Sequence, residues 1–553
     1  MDSPQSKDWR RIIRPLIALV LLNGMLSFRE WWPTPGVLPD HRLSTEFVWV
    51  WLGLLALLAW RGKVSAFALN GLAFIYLLLV LGRYGDVTVP SLFGRPINLY
   101  WDGAQIPRFL WVSAQEMPWW QSAGVVTIAV LAFWALFSLL RAQIRVIAQE
   151  AAPYALRSHW VWGVTAVAVG LSVANLAGVK ETWPLISKPV IPTYWRQAQL
   201  LKTAFSHDHT TLLPAKTAVD TALEANPESS LAALSGRDVY LIMLESVGAI
   251  TYDDSRVREQ VQPRRSQFLQ DVSASGQHVI SAFFRSPTFA GGSDLAQLGL
   301  LSGIDLSDPM RHDVLLTTQR PTLISLFRKQ GYQTFGVYPA LDWAWPESAF
   351  YGFDVFLERR DFGYQGPAMG FWAVPDQFSA ARFEQLHPRT GSAPPRFVFF
   401  PTITCHLPFN PVPPFQPEWN KVLSAQPFGA EDLAQALAEK PDWLNMTPSY
   451  ARMVNYTYQW LGAYFRQPEP REAIYILVGD HQPAANITGE GASWDVPVHI
   501  VSRDKKLLAS FIKQGFQSGM EPKRQALGEL HELTGMMLKS FAAPPTQLAE
   551  VGR

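Results

Sequence analysis

The chain has few cysteines, little net charge and few charged residues in its first part, and each of these shortages excludes a class of protein or partner. It contains a single cysteine, Cys405, so no disulfide can form within it. Its 47 basic and 46 acidic residues leave a formal net charge of +1, which gives no electrostatic case for a nucleic-acid partner. Charged residues are scarce before about residue 180, where long apolar runs recur instead. We therefore expect a membrane-embedded first part and no binding to nucleic acid.

Five apolar runs predict membrane-spanning helices, since about 20 apolar residues cross the hydrocarbon core. The runs are Ile12–Phe28, Glu46–Trp60, Val64–Gly82, Ser122–Leu140 and His159–Val179. The first has a basic start, but no small-residue cleavage site follows it, so we expect a retained span and not a signal peptide. Tryptophans flank several early runs, as they do at membrane interfaces.

Basic residues between the runs predict the orientation. Those near the first, second and fourth runs are Arg10, Arg11, Arg14, Arg61, Lys63, Arg141, Arg145 and Arg157. The positive-inside rule puts them in the cytoplasm, so everything after residue 180 lies outside. We expect a multi-pass protein of a bacterial cytoplasmic (inner) membrane. The loop 83–121 is then outside, either as an interfacial segment that shapes a lipid entry or as a structured loop on the headgroups.

The sequence divides into three predicted regions: a transmembrane domain at 1–180, a connector at 181–236 and a catalytic domain at 237–545. The connector contains an amphipathic stretch, 194–205, that predicts a helix lying on the membrane. Beyond it, short β-branched or aromatic runs alternate with helical patterns such as Thr322–Lys329. That alternation predicts a soluble α/β domain whose sheet is mostly parallel, with helices on both faces. The strand candidates are Val239–Leu244, Gln333–Tyr338, Phe397–Phe400, Ala473–Val478 and Val496–Val501.

Several of these strand candidates are followed by residues that suit metal or acid–base chemistry. Glu245 follows the first, His406 follows the third, and Asp480 with His481 follows the fourth. Open α/β sheets bind ligands at the carboxyl ends of their strands, so these side chains are expected to meet. Two carboxylates and an imidazole leave one coordination place open, as in catalytic zinc sites. His499 is predicted to be a strand residue and not a ligand.

A nucleophile candidate lies in the segment 286–303, SPTFAGGSDLAQLGLLSG. Gly291 and Gly292 permit a tight turn, after which Ser293 is expected to be the N-cap of a helix that ends at Gly303. A hydroxyl there sits at the positive end of the helix dipole, which favours an alkoxide and a phosphate oxygen. The alternatives are that Ser293 only caps the helix, or that Thr288 is the reactive hydroxyl.

Taken in order, these motifs resemble those of the membrane-anchored transferases of the alkaline phosphatase and sulfatase superfamily. Lipoteichoic acid synthases and lipid phosphoethanolamine transferases have the same plan of five spans before an extracytoplasmic, alkaline phosphatase-like domain. The matching pieces are LIMLES at Glu245, FAGGSDLAQ at Ser293, TCHLPF at His406 and LVGDHQP at Asp480-His481. The resemblance covers nearly the whole chain.

The resemblance implies a role for each residue. Glu245, Asp480 and His481 would hold one divalent ion, zinc or manganese, with Ser293 as the fourth ligand and the phosphorylated nucleophile. His406 would bind the phosphoryl group or move a proton; its alternative is an ordinary loop histidine. The family more often has threonine as nucleophile and glutamate where Gln297 stands. The sequence after Ser293 does not fit the formylglycine motif of plain sulfatases, so that activity is not expected.

The expected reaction is transfer of a headgroup of the phosphoethanolamine or phosphoglycerol type. A membrane phospholipid would be the donor and an envelope glycan or lipid the acceptor. Tyr338, Trp343 and Trp345 are candidates for an aromatic wall of the cleft, or else for surface packing. The alternatives are a membrane-bound phosphohydrolase or sulfatase-like hydrolase, and a non-catalytic envelope-assembly protein.

Overall fold

A computed structural model describes most of the chain. The described ranges are 6–32, 34–93, 96–100, 102–103, 118–182, 184–204, 212–224, 231–342, 348–389, 393–469 and 471–542. The chain forms two compact units, Met1–His207 and Asp208–Arg553. The domain limits predicted above, at residues 180 and 237, fall on either side of the boundary between these units and stay predictions.

The first unit is helical. Its helices are Ser6–Ser27, Thr45–Arg61, Ala66–Phe93, Trp119–Val146 continued through a π-turn at Ile147–Ala151 to Ala152–Ala155, His159–Leu176, a 3-10 turn at Lys180–Thr182, and Ile191–Ala204. Three helices among the described residues are long and apolar enough to cross a membrane: Ala66–Phe93, Trp119–Ala155 and His159–Leu176. Each of the five predicted runs overlaps a helix, but Ile13–Ser27 is a shorter apolar helix, and the count of five spans stays a prediction.

The third helix is longer than predicted: it runs to Phe93, so residues 83–93 of the predicted loop are helical. Arg83 explains the extension: its buried guanidinium donates to the carbonyl oxygens of Phe28 at 2.9 Å and Lys188 at 3.0 Å, so the charge does not end the helix. Residues 104–117 of the predicted loop lie outside the described residues, as does the last residue of the amphipathic stretch.

The second unit is built on a mixed sheet. The short ribbon of β1 (Arg29–Glu30) and β2 (Val37–Leu38) belongs to the first unit. The strands of the second unit are β3 (Asp238–Leu244), β4 (His278–Arg285), β5 (Gln333–Tyr338), β6 (Val355–Glu358), β7 (Arg396–Pro401), β8 (Ala473–Gly479), β9 (Asp495–Ser502) and β10 (Gln517–Ser518). They lie in the order β10-β4-β9-β8-β3-β7-β5-β6. The five from β8 to β6 are parallel, and β9, β4 and β10 form an antiparallel edge.

Helices cover both faces of this sheet. Successive side chains of β3 point to opposite faces and all are buried, so both faces must be covered. Tyr240, Ile242 and Leu244 pack with the helices Ser255–Ala274 and Thr447–Phe465 in the largest buried cluster. On the other face, Phe327 stacks on Phe397 of β7 with ring centroids 4.2 Å apart. The remaining helices of this unit are Ala218–Glu224, Ile250–Asp253, Ser293–Ser302, Pro309–Leu316, Leu323–Lys329, Ser348–Tyr351, Arg359–Phe362, Asp376–Leu386, Ala430–Ala438, Ala485–Thr488, Lys505–Ile512 and Glu532–Phe541, with 3-10 turns at Ala232–Leu234 and Trp419–Lys421.

Candidate active site

Two adjacent parallel strands deliver the first two carboxylates to one edge of the sheet. In the pairing of β3 with β8, Leu244 stands opposite Gly479. The next residue on each strand is therefore a carboxylate, Glu245 beside Asp480. Gly479 is required there, because a Cβ atom at this position would lie 2.0 Å from the carbonyl oxygen of Val247.

Glu245, Asp480 and His481 converge at this edge. One ligand atom from each of the three buried side chains lies within 4.8 Å of the others. The Nε2 atom of His481 is 3.6 Å from Glu245 Oε1 and 3.6 Å from Asp480 Oδ2. A tetrahedral ion with bonds of about 2.0–2.1 Å keeps its ligand atoms about 3.3 Å apart, so the three side chains are close to the spacing that such an ion requires.

Hydrogen bonds fix the orientation of these side chains. Asp480 Oδ1 accepts from the backbone N–H groups of Ser246 at 2.8 Å and His481 at 2.6 Å. The Ser246 hydroxyl donates to Glu245 Oε1 at 2.8 Å. His481 donates through Nδ1 to the carbonyl oxygen of Gln482 at 2.8 Å, which leaves the lone pair of Nε2 facing the carboxylates. This orientation of the imidazole by its second nitrogen is typical of histidine metal ligands.

The electrostatics of the cluster favour a bound cation. Burial, followed by the charge of Glu245, raises the pKa of Asp480 to about 7. Burial lowers the pKa of His481, but the carboxylates of Asp480 and Glu245 outweigh it, and the net direction is upward. Two buried carboxylates facing each other are costly without a positive charge between them. The donor set of two carboxylates and one imidazole therefore fits a divalent metal ion.

Ser293 lies against this cluster. Its Oγ is 3.4 Å from Glu245 Oε2 and 3.3 Å from His481 Nε2. One detail differs from the prediction: Gly292, with φ +74°, is the N-cap, and Ser293 is the first residue of the helix Ser293–Ser302. The hydroxyl points to the cluster and not back along its own helix, so Ser293 does not serve as the helix cap. The helix ends at Gly303, as expected.

Thr288, the alternative nucleophile, is placed differently. Its side chain is buried, and its hydroxyl donates to the carbonyl oxygen of Gly291. That bond closes the turn that presents Ser293. The geometry thus gives Thr288 a role in shaping the loop and gives Ser293 the position beside the carboxylates.

His406 follows β7 at the same edge. Its Nδ1 donates to the carbonyl oxygen of Leu407 at 2.8 Å, which leaves Nε2 as the nitrogen that can take a proton. Burial lowers the pKa of His406 to about 4, with further effects from the charges of His481 and Asp480. The imidazole is therefore neutral near pH 7, and its Nε2 carries no proton.

The sequence reasoning missed several residues that support the site. The Thr402 hydroxyl accepts a hydrogen bond from the backbone N–H of Glu245 at 3.0 Å. Thr402 directly follows β7, and this position could have identified it as a residue of the site edge. Asp376 accepts from the N–H groups of Ile403 at 2.8 Å and Thr404 at 3.1 Å, which fixes the strand exit that leads to His406. No motif marks Asp376.

Two other residues considered in the sequence, Tyr338 and His499, are among the described residues. Tyr338 ends β5, and its ring packs against Phe356 and Phe399. Trp343 and Trp345 lie outside the described residues. His499 lies in β9, where Ser281 and Tyr252 contact its two ring nitrogens at 2.6 Å and 3.2 Å.

A family model described as Sulfatase matches residues 286–500. This range contains Ser293, His406, Asp480 and His481, whereas Glu245 lies before it. No curated protein matches the chain significantly.

Three solved structures have a low similarity to this chain. The lipoteichoic acid synthase LtaP from Listeria monocytogenes is 14% identical with a TM-score of 0.36, over 58% of this chain and 78% of that one. The C-terminal periplasmic domain of EcEptC from Escherichia coli is 14% identical with a TM-score of 0.34, over 54% and 80%. The Streptococcus pyogenes phosphoglycerol transferase GacH, in complex with sn-glycerol-1-phosphate, is 14% identical with a TM-score of 0.32, over 58% and 91%.

Proposed function

We propose that this chain is an enzyme of the alkaline phosphatase and sulfatase superfamily, and the Sulfatase match over residues 286–500 supports this. It transfers a headgroup of the phosphoethanolamine or phosphoglycerol type from a membrane phospholipid to an envelope glycan or lipid. The transfer passes through phosphorylated Ser293. The observation that carries the proposal is the placement of Ser293 Oγ, at a helix N-terminus and 3.3 Å from His481 Nε2.

The metal dependence of the superfamily gives the cluster its role. Glu245, Asp480 and His481 would hold one ion, zinc or manganese, with Ser293 Oγ as the fourth ligand. When bound, the ion lowers the pKa of the serine hydroxyl and offsets charge that develops on the phosphoryl oxygens. The start of the helix Ser293–Ser302, the positive end of its dipole, would help to bind a phosphoryl oxygen.

The first step forms the bond from Ser293 Oγ to the headgroup phosphorus. The bond from phosphorus to the diacylglycerol oxygen breaks, and the proton lost by the serine balances the one gained by diacylglycerol. In the second step an acceptor hydroxyl oxygen bonds to phosphorus while the Ser293 Oγ–phosphorus bond breaks. His406, neutral at neutral pH, takes the acceptor's proton on Nε2 and returns it to the serine.

The membrane unit supports this choice of donor. Three helices among its described residues are long and apolar enough to cross a bilayer, and an enzyme anchored in this way would have membrane phospholipids within reach. We place the site outside the cytoplasm, on the side predicted by the basic residues of the first unit. Envelope glycans or lipids are the hydroxyl-bearing acceptors available there.

The test is to trap the intermediate in the full-length protein. Incubation with a headgroup-labelled phospholipid should give a labelled enzyme whose modified peptide contains Ser293. Ser293→Ala should lose the label and at least ~10³-fold in turnover, because the nucleophile is gone. Thr288→Val removes the alternative hydroxyl and the bond that closes the turn, so it should still be labelled on Ser293, but more slowly than wild type.

Acceptors are then identified from cells. Mass spectrometry of envelope glycans and lipids with and without the protein should reveal the headgroup-modified product. Label retained by Ser293→Ala would contradict the proposed nucleophile. A labelled enzyme that discharges only to water, with no modified envelope component, would indicate the phosphohydrolase instead.

A further inference from the structure

Two aromatic rings stand beside His406 and form, with its imidazole, what we call the aromatic corner: Phe371, Trp372 and His406. Phe371 stacks on the imidazole with centroids 4.6 Å apart and planes at 21°. Trp372 stands at 87° to the Phe371 ring at 4.8 Å and at 71° to the imidazole at 5.5 Å. Phe371 nevertheless keeps 37% of its surface exposed. A large apolar side chain is thus left open next to the group that moves the acceptor's proton.

The chain builds this corner through a tight turn. The backbone N–H of Met369 donates to the carbonyl oxygen of Ala373 at 3.1 Å, and that of Gly370 donates to Pro411 at 3.0 Å. Ala373 has a φ of +67°, a left-handed conformation that costs a residue with a Cβ atom roughly 1 kcal/mol. Gly370, also at +67°, lies so close to the segment before His406 that a Cβ atom would be 3.2 Å from the carbonyl oxygen of Thr404. The turn is therefore fixed on the His406 loop, and the rings are held in place.

We propose that the aromatic corner is the acceptor subsite and that it binds a pyranose ring of a glycan acceptor. This inference rests on the proposed transfer reaction and specifies its second substrate. His406 covers one side of the Phe371 ring, so a ligand reaches Phe371 from its exposed side and against Trp372. The C–H face of a sugar packs on such a ring while its hydroxyls stay hydrated or hydrogen-bonded.

The position brings the ligand to the group that exchanges its hydroxyl proton. A sugar on Phe371 lies next to His406, whose Nδ1 is engaged by the carbonyl oxygen of Leu407. Nε2 is then the acceptor for the hydroxyl proton. A sugar hydroxyl oxygen bonds to phosphorus, its proton passes to Nε2 of His406, and the bond from Ser293 Oγ to phosphorus breaks.

The test separates acceptor binding from the earlier steps. Full-length wild type, Phe371→Ala, Phe371→Tyr and a remote control, Trp443→Ala, are first labelled with a headgroup-labelled phospholipid. They are then discharged with maltohexaose, which has pyranose rings, or glycerol, which has hydroxyls but no ring. Trp443 is 62% exposed and lies in the segment before the helix Thr447–Phe465. Labelling rate, discharge to water, and KM and kcat for each acceptor are measured.

For Phe371→Ala we expect wild-type labelling, wild-type discharge to water and an unchanged KM for glycerol. The KM for maltohexaose should rise about tenfold, the size of a lost aromatic stacking contact. Phe371→Tyr should restore it, and Trp443→Ala should behave as wild type.

Each other outcome has a distinct meaning. Equal losses with maltohexaose, glycerol and water would mean that Phe371 only supports the imidazole, and would overturn the inference. A wild type that discharges to glycerol or to a lipid acceptor but not to maltohexaose would overturn it as well. A wild type that never becomes labelled would instead contradict the proposed function itself.

Discussion

At the level of single residues, the candidate site gathers two buried carboxylates around one imidazole nitrogen. Asp480 contributes most of the internal support, because one of its oxygens accepts two backbone N–H groups while the other faces His481. Such a division lets one side chain order the loop and still offer an oxygen to a cation. Ser246 has a lesser part, since its hydroxyl only orients Glu245.

This division predicts two different losses of metal affinity. Asp480→Asn keeps a carbonyl oxygen for the N–H groups but removes the charge, so we expect metal affinity to fall at least ~100-fold with the fold retained. Ser246→Ala leaves all three ligands and should cost about 10-fold, as supporting residues of metal sites do. Titration calorimetry with zinc and manganese on the solubilised protein checks both. Equal affinities in wild type and Asp480→Asn would show that the carboxylate is not a ligand.

The residues of the cluster were predictable because each follows a recognisable buried strand or a glycine turn. Glu245 and Asp480 come directly after apolar runs, and parallel pairing of those runs makes them neighbours. The aromatic corner was not predictable in this way. Phe371 and Trp372 lie in an irregular turn whose position depends on contacts with the His406 loop, some 35 residues away in sequence. Local periodicity carries no information about such a contact.

At the level of elements, the helix Ser293–Ser302 is bounded by glycines with nearly the same left-handed conformation. Gly292 has φ +74° and Gly303 has φ +68°. A Cβ atom at Gly292 would lie 2.9 Å from Thr288 Oγ1, whereas one at Gly303 would meet the Thr534 side chain at an ordinary 3.4 Å. An alanine at Gly292 should therefore displace the turn that carries Ser293, whereas an alanine at Gly303 should not.

We expect Gly292→Ala to slow labelling of Ser293 by roughly 10-fold or more, because small displacements of reacting atoms are costly to rate. Gly303→Ala should lose a similar ~1 kcal/mol of stability through its backbone but label at the wild-type rate. Labelling rates and thermal midpoints of the two variants are compared. If both label equally slowly, the effect is one of stability and the helix start has no special part in placing Ser293.

Strand β9 carries a buried histidine that predicts how stability depends on pH. Burial, with a contribution from the positive charge of Arg265, lowers the pKa of His499 to about 3. Hydrogen bonds hold the ring neutral. The Ser281 hydroxyl donates to the carbonyl oxygen of Gly519 and can accept from Nδ1 of His499. The Tyr252 hydroxyl is within hydrogen-bond distance of Nε2. The folded-state pKa lies below the unfolded value of about 6.5. The stabilisation is therefore complete above pH 6.5 and declines as the pH falls toward 3.

At pH 5 the loss should be about 2 kcal/mol relative to pH 7. His499→Asn cannot titrate, so its thermal midpoint, although lower at pH 7, should fall less between pH 7 and pH 5. His278→Asn, at the exposed start of β4, should retain the wild-type pH dependence. The same slope in all three proteins would assign the acid sensitivity to other groups.

The sheet itself was only partly predictable. The five strand candidates match β3, β5, β7, β8 and β9 to within two residues at each end. The strand β4 was missed because it follows a 20-residue helix directly, and its neighbour β9 is far away in sequence. The antiparallel direction of β9 is likewise a result of tertiary pairing, which alternation of apolar residues does not encode.

At the level of the whole molecule, the contacts within the first unit bear on how many helices cross the membrane. Residues 28–46 meet residues 185–191 through several bonds: Leu43 pairs with Leu185 and Ser187, and the Glu46 carboxylate accepts the N–H of Ile191 at 3.1 Å. The segment 185–191 follows the last long apolar helix and is predicted to be outside. The loop between the first two helices therefore belongs at the outer end as well.

That placement requires the two shorter helices to cross. The first helix starts from basic residues predicted to be inside and ends at Ser27, and the second runs from Thr45 to Arg61 near Lys63, again predicted inside. If only the three long helices crossed, residues 28–45 and Lys63 would lie on the same side. With five crossings, residues 28–45 and Lys63 lie on opposite sides of the membrane, and labelling from one side can measure this.

Introduced cysteines provide the test, because the native Cys405 is buried. His41, whose side chain is 92% exposed, lies in the loop between the first two helices, and Lys63 and Lys513 are exposed reference positions. With five spans, His41→Cys and Lys513→Cys should react with a membrane-impermeant maleimide added from outside, and Lys63→Cys only after the membrane is opened. With three spans, His41→Cys would be protected together with Lys63→Cys. Since Lys513→Cys is expected to react in either case, it controls for access, and His41 alone decides between the two counts.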